Sequence, residues 1–152
     1  MMAMEWHLKT FDQLTTVELY KILQARVDVF VVEQECAYRE LDDHDQTAFH
    51  LFAACGEEIA GYARILPPGS TYHELSIGRV LVRKTYRGKG LATELIKRAL
   101  KFVQENTKVN CVKIQAQEYL LSFYRSFGFE PVSEVYLDAG IPHVDMVLQV
   151  PD

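Results

Sequence analysis

Between residues 75 and 104 the hydrophobic pattern changes its period within a dozen residues, and that change constrains the fold more than any other feature. Leu75 to Val82 reads as a strand, whereas Leu91, Leu95, Ala99, Phe102 and Val103 mark one face of an amphipathic helix over 90–104. The connection carries Arg83-Lys84-Thr85-Tyr86-Arg87-Gly88-Lys89-Gly90. Gly88 and Gly90 permit backbone conformations that other residues resist, so successive N–H groups can turn toward one ligand. The helix adds the unpaired N–H groups of its first turn and the positive end of its dipole. This is a site built for a pyrophosphate.

Two other phosphate loops do not fit. The spacing Gly-x-x-x-x-Gly-Lys-Ser/Thr is absent, and Gly88-x-Gly90-x-x meets Thr93 where a dinucleotide fingerprint needs a third glycine. Charge placement strengthens the pyrophosphate reading. Among 152 residues, 16 Lys and Arg stand against 21 Asp and Glu, a formal charge of −5. Arg79, Arg83, Lys84, Arg87 and Lys89 place five of those cations in eleven residues with no acid among them. The remaining chain holds 11 cations against the 21 acids, six of which lie between Glu33 and Asp45 with only Arg39 beside them. The acidic total argues against a general nucleic-acid binder. The acidic loop reads as solvated, with attraction of a cationic amine as the functional alternative.

The order of elements predicts a single domain over 1–152 of mixed α/β (α+β) class. Residues 4–11 form an opening strand, and Thr15 or Thr16 caps a helix with Leu19, Ile22, Leu23, Val27 and Phe30 at helical spacing. Arg26 falls on that same apolar face, either as a substrate-facing charge or as half of an internal ion pair with Glu33 or a loop acid. Phe49 to Cys55 and Ile59 to Leu66 read as strands around Gly56-Glu57-Glu58, and Pro67-Pro68-Gly69 ends the second. Val109 to Ala116 is a buried strand and Leu120 to Phe127 a short helix. Glu130 to Leu137 and Val144 to Val150 pair across Asp138-Ala139-Gly140. The sum is about seven strands flanked by helices.

Cys36, Cys55 and Cys111 form no Cys-x-x-Cys pair, so no metal site or redox motif is expected. Residues 1–7 lack a basic stretch followed by an apolar run, and the longest apolar runs are a few residues. A soluble, cytoplasmic protein without membrane contact is the expectation.

Arg87-Gly88-Lys89-Gly90-Leu91-Ala92 resembles the Arg/Gln-x-x-Gly-x-Gly/Ala motif of the GCN5-related N-acetyltransferases (GNAT), which grip the pyrophosphate of acetyl-coenzyme A (acetyl-CoA). Ile77-Gly78-Arg79-Val80-Leu81-Val82 resembles that family's splayed strand, and Phe123-Tyr124-Arg125-Ser126-Phe127-Gly128-Phe129 its second signature, beside the thiol. Residues 26–34, Tyr38, Asp42 and Gly140-Ile141-Pro142-His143 are similar to the ElaA-like branch. The resemblance implies a strongly twisted mixed sheet of about seven strands. It also implies acetyl-CoA as acyl donor, held by Val80, Leu81 and Val82 of the strand and by Arg87, Gly88, Lys89, Gly90, Leu91, Ala92 and Thr93 of the turn. The acceptor is an amine of a small molecule or peptide, and a homodimer is possible.

Direct attack by an amine needs a proton for the departing thiolate, and Tyr124 is the candidate acid, with core packing as its alternative role. Relatives carry a base on the splayed strand where this chain has Ser76; Glu74, His143 and His73 are the titratable substitutes. Arg26, Glu33 and His143 are the candidate acceptor-side contacts. Two rivals remain: an enzyme of the superfamily that uses a longer acyl-CoA, and a CoA-binding sensor without turnover.

Overall fold

The computed structural model describes residues 4–151; the first three residues, part of the segment read above for an export signal, and Asp152 lie outside the described residues. The chain forms β1 (Glu5–Thr10), α1 (Thr16–Val27), β2 (Phe49–Cys55), β3 (Glu58–Leu66), β4 (Leu75–Val82), α2 (Leu91–Asn106), β5 (Cys111–Gln117), α3 (Leu121–Arg125), β6 (Glu130–Pro131), β7 (Tyr136–Asp138) and β8 (Ile141–Gln149). The sheet runs β1-β2-β3-β4-β5-β8-β6, with β7 also on β8. Every pairing is antiparallel except β4–β5. The structure is therefore the mixed, helix-flanked sheet expected, with eight strands rather than about seven.

The extra strand comes from a break in the segment predicted as continuous from Glu130 to Leu137. Pro131 has no N–H to give, and the Ser133 hydroxyl takes the Asp145 N–H at 2.9 Å in place of a main-chain carbonyl. Pairing resumes at Tyr136, opposite His143.

Alternation along β2 and β3 sends side chains to two cores. Leu51, Ala63 and Ile65 meet Leu95, Ile96, Ala99 and Val103 of α2, together with Tyr124 and Phe129. Phe52 and Tyr62 face the other way and meet Ile22, Ala25 and Val29. Helix α2 sits close because Gly61 has no side chain: a Cβ there would lie 3.1 Å from Leu91 and Leu95 and 3.3 Å from the Leu81 carbonyl. The Thr15 hydroxyl accepts the Glu18 N–H and Glu18 returns a bond to Thr15 N–H, a capping box that starts α1. Of the predicted face only Ile22 is fully buried in α1, joined there by Ala25 and Arg26; beyond Val27 the coil widens into a π-type turn to Glu33, in which Val29 is buried.

Candidate active site

Strands β4 and β5 pair through only two positions, Leu75 with Val112 and Ser76 with Lys113. Beyond Ser76 they part. The cause lies on the other edge of β4, where Tyr62 pairs with Leu81 and Arg64 with Gly78, so that Arg79 and Val80 together oppose Ala63. Arg79 takes a left-handed backbone, φ 50°, and this bulge bends the strand away from its parallel neighbour. The opening is a cavity of about 680 Å³. Its walls are the Gly78–Val82 backbone on one side and Gln115, Gln117, Phe123 and Tyr124 on the other, with the 87–93 turn at its mouth.

At that mouth Gly88 and Gly90 have φ of 79° and 77°. Nothing lies within 4 Å of a Cβ built on either, so conformation rather than space requires glycine there. Bonding in α2 begins with Glu94 N–H to Gly90 O at 3.2 Å, which leaves the N–H groups of Leu91, Ala92 and Thr93 ahead of the first helical bond. Arg87 donates through Nε to Val82 O at 2.8 Å and through Nη2 to Glu33 at 2.7 Å. Of the turn residues singled out above, Lys89 is exposed and does not line the cavity. Arg83 pairs with Asp28 at 2.7 Å.

Deeper in, Tyr124 is 6% exposed, set edge-on to Phe123 and Phe129, and its hydroxyl has no hydrogen-bond partner among the described residues. Burial, with Tyr119 nearby, holds its phenol well above the usual range, so it stays protonated through neutral pH. Ser76 is buried in the cavity wall. Glu74 is not on its face: β4 begins at Leu75, so no strand alternation carries Glu74 inward, and it does not line the cavity. His73 is exposed and also outside. His143 lines the cavity, 9% exposed, and Tyr72 lies along the same cavity.

The acidic loop faces water with only half of its acids: Glu33, Glu35 and Asp43 are exposed, whereas Glu40, Asp42 and Asp45 turn inward. Arg26, fully buried, donates through Nε to Glu40 at 2.7 Å, through Nη1 to Asp45 at 2.6 Å and through Nη2 to the Glu40 carbonyl. Arg64 holds Asp42 through both terminal nitrogens at 2.8 Å and Asp45 at 3.0 Å. Arg79 reaches Glu40 at 2.7 Å, and the Tyr38 hydroxyl donates to the same carboxylate at 2.6 Å. Three arginines thus neutralise three carboxylates between α1 and the sheet. Burial alone would raise the Asp42 and Asp45 carboxyls, but the guanidinium groups around them hold both below the usual range. Arg26 is therefore a structural charge with no surface left for a substrate, and its partners are Glu40 and Asp45 rather than Glu33. Glu33 lines the cavity mouth but is occupied by Arg87.

Sequence reasoning singled out Tyr38 without its role on Glu40, and it missed Glu40, Arg64, the Gln34–Gln117 side-chain pair at 3.3 Å and the Cys36 contact to Ala139 O at 3.2 Å; the last two tie the first helical segment to β5 and the last hairpin. One signal was present: Arg64 interrupts the run Ala63-Arg64-Ile65-Leu66, and a charge in a buried strand must find a partner.

The donor set suits a CoA. Open N–H groups at a helix N-terminus take phosphates, the unpaired stretch of β4 offers main-chain groups to an amide-bearing arm, and Tyr124 lies where the strands part. Comparison with known proteins agrees. Residues 16–150 match the family described as Acetyltransferase (GNAT) domain. The protein ElaA of Escherichia coli is 38% identical over 148 residues, 96% of this chain and 97% of that one; its crystal structure has a TM-score of 0.88. An acyl-CoA N-acyltransferase from Pseudomonas aeruginosa is 38% identical, with a TM-score of 0.91 over 96% of this chain and 99% of the other. A CoA-dependent acyl-homoserine lactone synthase, with SAM and isopentyl-CoA, shares the fold at 17% identity and a TM-score of 0.78, covering 98% and 84%. The chain belongs to the GNAT acetyltransferase family, with the acyl-CoA N-acyltransferase fold.

Proposed function

We propose that this GNAT-family chain is an acetyl-CoA-dependent N-acetyltransferase, acting in the cytoplasm as one domain over 1–152 on an amine of a small molecule or peptide. The observation that carries the reading is the splay of β4 from β5, with open N–H groups at its mouth and a partnerless tyrosine hydroxyl inside. The thioester supplies an activated acyl group when bound. The N–H groups of 88–93 hold the pyrophosphate, and Arg87 adds a cation once it releases Glu33. Val80, Leu81 and Val82 align the arm along β4, although the Val82 carbonyl already accepts Arg87 Nε. Tyr124 delivers the proton that the leaving sulfur needs, and its raised pKa keeps it loaded over the whole working range.

Calorimetry with acetyl-CoA, followed by thiol release over an amine panel, tests this directly. Tyr124→Phe is expected to lower kcat by about a hundredfold while leaving the Kd for acetyl-CoA within about twofold. No binding at millimolar ligand overturns the proposal; binding without turnover on any amine leaves the sensor reading in its place. A longer acyl donor is the second reading, favoured by Val29, Phe30 and Leu81, which give the cavity an apolar stretch beside β4. A chain-length series of acyl-CoAs separates the two.

A further inference from the structure

Attack on a thioester requires an amine with a free electron pair, and a primary amine near neutral pH arrives mostly as the ammonium. A base in the site that accepts that first proton raises the reactive fraction above what bulk water alone provides. The strand position where relatives keep a base holds Ser76, whose hydroxyl does not ionise in this range, and neither Glu74 nor His73 lines the cavity.

His143 meets the need by its hydrogen bonding. Its Nδ1 lies 2.7 Å from the Ile141 carbonyl. A carbonyl only accepts, so Nδ1 carries the hydrogen and Nε2 carries the lone pair. Nε2 has no partner among the described residues and is not among their buried unpaired atoms, and the ring is part of the cavity lining. What little of the side chain is exposed therefore opens onto the cavity. The ring is also fixed in orientation. It stacks on Tyr136 with centroids 6.3 Å apart and planes 26° apart, and the Tyr136 hydroxyl is anchored on Asp145. On its far side Gln117 of β5 is its strand partner.

We infer that His143 is the general base, taking a proton from the acceptor ammonium on Nε2. The inference rests on the acetyltransferase reading and adds the group it lacks. One N–H bond of the ammonium breaks, its electron pair stays on nitrogen, and the proton forms the imidazolium of His143, which returns it to solvent after turnover. The amine then forms the new C–N bond as the C–S bond breaks. Tyr124 gives its proton to sulfur and recovers the proton left on nitrogen, so one proton is released per amide formed. The other charged or titratable groups around the ring are Tyr136 and Asp138 on β7, Asp145 on β8, Lys113 on β5, and Tyr72 and Tyr119 at the cavity.

The test is the pH profile of kcat/KM for His143→Asn, whose amide keeps a donor to the Ile141 carbonyl and removes Nε2. Thiol release from acetyl-CoA is followed with the best acceptor from a panel of a polyamine, an amino sugar, an amino acid amide and a lysine peptide. The expected result is a loss of about a hundredfold at pH 7 that shrinks as pH rises toward the amine's own ionisation, with acetyl-CoA binding unchanged by calorimetry. Added imidazole restores part of the rate in His143→Ala, and His73→Gln behaves as the unaltered protein. A His143→Asn profile of unchanged shape, within about threefold in rate, overturns the role of His143 while the acetyltransferase reading stands. Absence of thiol release by the unaltered protein with every amine overturns both.

Discussion

The 79–93 turn and the 33–45 loop are the two charged segments of this protein, and the fold treats them in opposite ways. In the turn the work falls to the backbone: glycines with positive φ and an open helix N-terminus face the cavity mouth, and Lys84 and Lys89 stay in water. In the loop three of the six acidic side chains are consumed, while Glu33, Glu35 and Asp43 stay exposed. Glu40, Asp42 and Asp45 are drawn beneath α1 onto Arg26, Arg64 and Arg79. The first arrangement leaves donors for a ligand, whereas the second meets almost all of its bonding within the protein, Arg64 Nε being the one buried side-chain atom without a partner among the described residues. A dense run of charge thus identifies a binding site only where its partners are missing from the chain itself.

Removing a network charge should have the largest effect. Arg26→Ala takes one of two guanidinium partners from each of Glu40 and Asp45, leaves the buried network one positive charge short, and is expected to cost about 3–5 kcal/mol in denaturant unfolding. The Kd for acetyl-CoA of the folded fraction should hardly move; a parallel loss of affinity would erase the contrast between the regions. Acid tests the same network without mutation. In the folded protein Asp42 and Asp45 are held below the ordinary carboxyl value of 3.8, so their contribution is complete above that pH and is lost as pH falls through the depressed values. His50, lowered mainly by burial from 6.5, has the same sign and begins the loss earlier. Stability followed against pH should therefore decline gently below about 6.5 and steeply below about 4.

Gly90→Val addresses the turn. A β-branched residue resists a φ of 77°, so affinity for acetyl-CoA should drop about tenfold or more while unfolding free energy shifts by about 1–2 kcal/mol. Glu33→Gln should do least. It frees Arg87 from an exposed pair, tightening acetyl-CoA by up to about threefold at low salt, and the gain should fade as ionic strength rises.

How far the sequence reveals the molecule follows the same division. The turn was legible because its glycines, cations and helix face are neighbours in the chain and their geometry is local. The strands from Phe49 to Val82 were legible for the same reason. Of the network only the pairing of Arg26 with a loop acid was legible, because Arg26, Glu40, Arg64 and Arg79 come from four separate segments, and only the fold brings them together. The break at Val132–Val135 depended on a serine standing in for a carbonyl, which alternation does not encode. The lone pair of His143 depended on which nitrogen meets the Ile141 carbonyl, a matter of ring orientation that no spacing expresses.

The bulge at Arg79 puts one residue under two obligations. Its backbone parts the strands that make room for a ligand, and its guanidinium closes the charge balance that keeps the sheet's other face intact. Loss of a single residue from this stretch would therefore be a frameshift in three dimensions, closing the cleft and taking from Glu40 one of its two guanidinium partners at one stroke. Catalytic drift and structural decay are not separable here, and changes of specificity have to be sought on the opposite wall, along β5 and the last hairpin.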